Sequence, residues 1–196
     1  MFEFDNKYLS EEVSTGGTTI NKDDCYECVI TEAKIWKSDN SNSESLNLKI
    51  KDAKTEKKAW INLFYKKKNG EDIDFNLRHL SHLTYLIGVK PAPDNAGIIN
   101  AWTNKSIGVF LTVKATTLNN GNQGYEFSLQ GFYDANTKLT AKEKSENLSP
   151  ETYKKMKERF ANAEPVELSS TGKSNSFNDS SNDDGFFPVN NDDIPF

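Results

Sequence analysis

Hydrophobic and polar positions alternate with a period of two through much of the chain before residue 135, which predicts strands with one helical interval between them. Tyr26, Cys28 and Ile30 alternate with Glu27, Val29 and Thr31. Ala33, Ile35 and Trp36 then follow out of register, as in a long strand interrupted by a bulge. The Ser- and Asn-rich run 38–43 reads as a loop, after which Leu46, Leu48 and Ile50 alternate with Asn47, Lys49 and Lys51. A turn around Lys54, Thr55 and Glu56 leads to a third strand. In it Ile61 and Leu63 face a core and Trp60, Asn62 and Phe64 face the other way, so the second and third strands are expected to pair as a hairpin. From Asp72 to Ile87 the spacing becomes helical: Ile73, Leu77, Leu80, Leu83, Thr84 and Ile87 share a stripe, and Gly88 supplies a stop. Past a loop marked by Pro91, Pro93 and Gly97, Ile107, Val109, Leu111 and Val113 alternate with Gly108, Phe110, Thr112 and Lys114. A turn at 119–124 precedes a fifth strand through Tyr125, Phe127 and Leu129.

Strand, strand, strand, helix, strand, strand is the order expected of the oligonucleotide-binding (OB) fold, a five-stranded Greek-key barrel with a helix between strands three and four. The predicted class is mainly β. Further along, Ser149 is a candidate helix cap, Pro150 suits a first turn, and Glu151 sits where the helix dipole favours an acid. Tyr153, Met156 and Phe160 give that C-terminal helix a narrow apolar stripe, fit to dock on the barrel or on a second copy in a homo-oligomer. Beyond Pro165 the composition turns to Ser, Asn, Asp and Gly with isolated phenylalanines, too little apolar mass to offset the entropy of ordering. The expected layout is an N-terminal arm or edge element (1–20), the barrel domain (21–135), a helical extension (136–164) and a disordered acidic tail (165–196).

Length and charge refine this picture. A chain of 196 residues has room for one core of ordinary size but not for two full domains. Its net charge of −5 suits a polyanion ligand poorly, yet the charge is segregated. Residues 169–196 hold Lys173 against Asp179, Asp183, Asp184, Asp192 and Asp193, whereas residues 46–90 hold ten Lys and Arg against five acids. A basic middle and an acidic end predict a polyanion-binding surface and a separate charged tail. No run approaches the roughly eighteen apolar residues of a membrane span. The start Met1-Phe2-Glu3-Phe4-Asp5 lacks the basic-then-apolar order of a secretory signal, so a cytoplasmic protein with no membrane association is expected. Cys25 and Cys28 are too few for a disulfide framework.

The outward positions of the strands bring aromatic and basic residues together: Asn47, Lys49 and Lys51; Trp60, Asn62 and Phe64; Phe110 and Lys114. Exposed rings stack on unpaired bases of any sequence, while lysines follow phosphates. Lys66, Lys67 and Lys68, in the turn after the third strand, extend the basic path, and Trp36 adds a ring. The candidate single-stranded DNA contacts are therefore Trp36, Lys49, Lys51, Trp60, Asn62, Phe64, Lys66, Lys67, Lys68, Phe110 and Lys114. Packing of Trp60 and Phe64 under the helix or a subunit contact, and a merely solvated lysine turn, are the competing readings. Cys25, Cys28, His79 and His82 supply four potential zinc ligands, but residues three apart on a strand point to opposite faces. One buried cysteine and two solvated histidines are expected instead, with no metal and no cofactor. Glu71, Asp72 and Asp74 read as acids at a helix N-terminus rather than as a Mg²⁺ site. No nucleophile elbow, phosphate-binding Gly loop or metalloprotease helix is present in the sequence, and no enzymatic activity is expected.

The last five residues, Asp192-Asp193-Ile194-Pro195-Phe196, resemble the C-terminal tip of bacterial single-stranded DNA-binding proteins, and like that tip they follow an acidic, disordered-type tail. The rest of the chain, with its long loops, Lys-rich turn and helix at 150–162, resembles the divergent phage-encoded members of the family. The resemblance implies sequence-nonspecific binding and protection of single-stranded DNA in replication, recombination and repair. It also implies that the tip recruits the enzymes of those processes. The chemistry suits such docking: Phe196 can enter an apolar pocket, its carboxylate can meet a Lys or Arg, and the aspartates can reach a basic rim. Tethered to a basic face, an acidic tail can also compete with DNA at high effective concentration. Two alternatives stand beside this reading: a strand-annealing or recombination mediator, and an interaction protein that captures replication enzymes through the tip without binding DNA.

Overall fold

The computed structural model describes residues 18–118 and 121–168. Five antiparallel strands make one sheet: β1 (Asp24–Lys37), β2 (Glu44–Asp52), β3 (Lys58–Lys66), β4 (Ser106–Thr117) and β5 (Gln123–Tyr133), in the spatial order β3-β2-β1-β4-β5. Helix α1 (Asp74–Ile87) and a 3-10 turn (Asn100–Trp102) carry the chain from β3 back to β4, and α2 (Ala141–Ser145) and α3 (Glu151–Phe160) follow β5.

Alternation sets the core. Leu46, Leu48 and Ile50 of β2, Ala59, Ile61 and Leu63 of β3, and Ile107, Val109, Leu111 and Val113 of β4 all point inward and are buried. In β1 the inward set is Cys28, Ile30 and Ala33, which keep one face only because the register slips between Ile30 and Glu32. The extra residue at that bulge restores the alternation. α1 closes the inner face with Leu83, fully buried, and with Leu80 and Ile87 packed against the same cluster. It ends where Gly88 adopts a left-handed conformation (φ 75°) and donates its N–H to Thr84. Trp102 is fully buried, its indole N–H donating to the Val89 carbonyl at 2.9 Å.

Part of the outer face is also covered. α3 lies there, placing Phe160, Tyr153 and Met156 against Cys25, Phe110 and Tyr133 in a second apolar cluster. Tyr133 crosses directly over Gly108, where a Cβ would lie 2.2 Å from its ring, and its hydroxyl donates to the Tyr26 carbonyl at 3.0 Å. The α3 stripe thus packs on its own sheet.

Among the described residues β3 and β5, the two ends of the sheet, share no ladder. The sheet nevertheless curls until Trp60 of β3 and Phe127 of β5 have ring centroids 6.4 Å apart. At one end, flanking segments tie the two edges. Ile20 donates to the Lys58 carbonyl and Lys58 to that of Thr18, Val166 donates to Asn21, and the Tyr125 hydroxyl donates to Val166.

Several expectations need correction. Ser149 does not cap α3; Pro150 is its N-cap, without a side-chain bond, and the Thr152 N–H is taken at 2.7 Å by the buried Glu143 carboxylate. Glu143 belongs to α2, a helix the hydrophobic pattern missed, which opens with a capping box between Thr140 and Glu143. Burial pushes the Glu143 carboxyl upward, but N–H donors from Thr140 and Thr152 outweigh it and hold the group below the usual range. The tail was expected to be disordered from residue 165, yet Val166 packs against the core. The last residue of the arm is likewise integral, since Ile20 is fully buried. Most of the arm, the middle of the β4–β5 turn, and the tip at Asp192, Asp193, Ile194, Pro195 and Phe196 lie outside the described residues. Among the described residues no helix is long and apolar enough to cross a membrane.

Candidate functional site

The outer face is divided in two: α3 covers the part built from β1, β4 and β5, and leaves open the part built from β1, β2 and β3. Register orders the open part into cross-strand rows. Trp36, Ser45 and Phe64 form one; Lys34, Asn47 and Asn62 the next; Glu32, Lys49 and Trp60 the third; Val29, Lys51 and Lys58 the last. Successive rows are about 6.5–7 Å apart, because outward residues alternate along each strand.

Two aromatic stations flank the row of Lys34, Asn47 and Asn62. At one, the rings of Trp36 and Phe64 meet edge to face, centroids 6.4 Å apart, above Ser45. Ser45 is 1% exposed and its hydroxyl has no hydrogen-bond partner, the consequence of two large rings closing over a small residue. At the other station Trp60 is 40% exposed and leans on Phe127, which in turn lies 6.5 Å from Tyr125. Aromatic surface therefore continues from the β3 face to the β5 edge. Phe127 and Tyr125 pack against the inner core cluster, and the curl of the sheet brings Phe127 to Trp60.

The basic residues fall into two groups. Lys49 pairs with Glu32 at 3.3 Å, Lys51 with Glu56 at 2.8 Å, Lys66 with Glu44 at 3.4 Å and Lys67 with Glu71 at 3.2 Å. These are partly exposed pairs, screened by water and salt, so an incoming phosphate competes for each lysine at small cost. The Lys51 ammonium holds the Glu56 carboxyl below its usual range, and Asn69, followed by the Lys67 ammonium, does the same for Glu71. Lys58 and Lys114 are exposed, with no carboxylate within 4.0 Å among the described residues. Lys58, absent from the sequence-predicted set, extends the open face one row beyond Trp60. The Lys-rich turn borders a groove of about 580 Å³ lined by Phe64, Ile73, Asn76 and Lys66 to Lys68, so the basic run continues the Phe64 station toward α1.

Phe110 departs from expectation. It lies on the outer face as its alternation requires, but it is 2% exposed, with its ring stacked 4.7 Å from that of Tyr133 under α3. Period-two patterning identifies a face and cannot reveal that a helix 40 residues later will cover it. Lys114, beyond the covered patch on the same strand, is exposed opposite Glu126 and stands apart from the two ring stations. Trp36, Lys49, Lys51, Trp60, Asn62, Phe64 and Lys66 to Lys68 lie on or next to the open face.

The zinc candidates do not converge. Cys28 belongs to the inner core and Cys25 to the outer cluster, so both thiols are buried on opposite sides of the sheet, where one buried cysteine had been expected. Burial pushes the Cys25 thiol up to about 11, against the opposing pull of Lys157. His79, expected in solvent, is 8% exposed between Phe75 and Phe132, at 4.6 and 6.2 Å, with neither ring nitrogen hydrogen-bonded. Among the described residues no three His, Cys, Asp or Glu side chains gather as a metal site. No family model matches the chain and no curated protein matches it significantly.

Proposed function

We propose that this protein binds single-stranded DNA without strong sequence dependence, laying the strand across the open face of β1, β2 and β3 of an oligonucleotide-binding barrel. The observation that carries the reading is the pairing of ring stations, Trp36 with Phe64 and Trp60 with Phe127, on a sheet face bordered by lysines. Aromatic rings left partly open on a strand-built surface offer stacking at about 1–3 kcal/mol per base, and the displaceable lysines supply the phosphate contacts. The strand order, the helix between β3 and β4 and the approach of β3 to β5 support the barrel. In this reading the tip Asp192-Asp193-Ile194-Pro195-Phe196 recruits replication, recombination and repair proteins, and the chain acts as a binding protein rather than an enzyme.

Fluorescence titration with oligo-dT at two salt concentrations tests it. Of the three tryptophans Trp102 is buried, so quenching reports Trp36 and Trp60. Saturable quenching is expected, with affinity falling by about 0.7 logarithmic units per phosphate contact for each tenfold rise in salt. Absence of quenching and of retention on single-stranded DNA cellulose would leave only a protein-capturing role for the tip. Efficient annealing of complementary strands would instead favour a mediator.

A further inference from the structure

We infer that the row between the two ring stations, Lys34, Asn47 and Asn62, reads the base that lies over it and favours keto bases over amino bases. The inference rests on the single-stranded DNA reading above and assigns a discriminating position within that otherwise tolerant surface. The three residues are direct cross-strand neighbours, Lys34 opposite Asn47 and Asn47 opposite Asn62. Each row occupies about 6.5–7 Å along the strand, roughly twice the 3.4 Å spacing of a stacked strand, so a stretched strand presents about one nucleotide per row. A base stacked at Trp60 and another at Phe64 leave one between them over the amides.

Asn47 is an unusual floor for that position. It is nine-tenths buried, yet its carboxamide has no hydrogen-bond partner among the described residues and, unlike the Ser45 hydroxyl, is not sealed from solvent. Reached by water but paired with no protein group among the described residues, the amide is free to exchange that water for hydrogen bonds to a base. Asn62 beside it is exposed and likewise unpaired among the described residues. Lys34 has no carboxylate within hydrogen-bonding distance, although its charge helps to hold the Asp94 carboxyl low.

Donors outnumber acceptors in this row. A lysine ammonium carries three N–H donors and no acceptor, and each carboxamide carries two donors and one acceptor oxygen. Uracil, thymine and guanine present a carbonyl oxygen where cytosine and adenine present an amino group. Where the 4- or 6-position group of the base faces the row, the surplus of donors is met by the carbonyl of the first set and opposed by the amino group of the second, whereas the flanking rings treat both sets alike.

The test uses the full chain with oligo-dU and oligo-dC of equal length at pH 8, since these pyrimidines are the same size and differ at the 4-position group and the adjacent N3. Tryptophan quenching is expected to give about fivefold or tighter binding to oligo-dU. Asn62→Ala and Asn47→Ala should each bring the ratio toward one, chiefly by weakening oligo-dU binding, Asn62→Ala with an unchanged melting temperature. Asn62 is exposed, so its variant keeps the test open even where Asn47→Ala destabilises the fold. Equal affinities for the two strands, or a preference that survives Asn62→Ala, overturn the inference and leave the binding function intact. Failure to bind either strand overturns both.

Discussion

The two halves of the outer face start from the same strand alternation and end in opposite roles. Where β1 meets β4 and β5, outward aromatics disappear under α3; where β1 meets β2 and β3, outward aromatics stay at the surface. Residue type does not separate them, since Phe110 in one half and Phe64 in the other are both outward phenylalanines in alternating strands. What separates them is cover. In the closed half a ten-residue helix brings Tyr153, Met156 and Phe160 onto the sheet, held by an ion pair of 2.7 Å between Lys157 and Asp24. In the open half no helix arrives among the described residues, and the outward side chains between the rings are amides and lysines that favour water. An outward ring thus has structural value in one half and, in the proposed reading, recognition value in the other.

That contrast can be broken experimentally. Phe110→Ala should destabilise the fold by about 3–5 kcal/mol, the usual cost of removing a buried aromatic, read as a lower denaturation midpoint. At temperatures where the variant stays folded its affinity for oligo-dT should match that of the parent. Trp60→Ala should do the reverse, weakening binding by about 1–3 kcal/mol in an anisotropy titration while leaving the denaturation midpoint nearly unchanged. If Phe110→Ala lost binding at constant stability, or Trp60→Ala unfolded the chain, the assignment of the two halves would be inverted.

A third experiment separates core from surface by pH. Burial lowers the pKa of His79 from its ordinary 6.5, with the charges of His82 and Arg78 acting in the same sense. The unfolded chain therefore binds the proton more readily than the folded one. Stability is full above about pH 6.5 and declines as pH falls from there toward the lower folded value. Melting temperatures at pH 7.5 and 5.5 should differ, and His79→Gln should flatten the difference in that interval. The lowered carboxyls of Glu44, Asp134 and Glu143 contribute only at more acid pH. The smallest effect is expected at Ser45. Because its buried hydroxyl is already unpaired, Ser45→Ala should be neutral or stabilising by under about 1 kcal/mol, with oligo-dT affinity retained.

The strand content of the fold was legible because each strand has one buried face, and period-two patterning records burial directly. Even the β1 bulge was visible, since Ile30 and Ala33 cannot share a face without an extra residue. α2 left a readable trace as well, in Thr140 and Glu143 at capping-box spacing, although its five residues are too short for a hydrophobic period. The burial of Phe110 and His79 was not legible. Both depend on partners distant in sequence: α3 over Phe110, and Phe132 of β5 against the helix that carries His79. The same limit applies to the open face. Trp60 and Phe64 could be placed on one side of β3, but the edge-to-face contact with Trp36, the approach of Phe127 and the unpaired state of Asn47 depend on sheet curvature and on register across three strands.

The bond from Val166 to Asn21, at 2.6 Å, fastens the two flanks of the sheet to each other. Tension applied through the chain on either side of the described body meets there first, because load entering before β1 and leaving after α3 converges on this contact and on the hydrogen bond from Lys58 to Thr18 beside it. Under load these few bonds act in series ahead of the sheet, so the body should open from this seam while the β1–β2–β3 face keeps its register. If the proposed function holds, a chain gripped by a strand at that face and pulled from the other side would yield at the seam before it lost its grip.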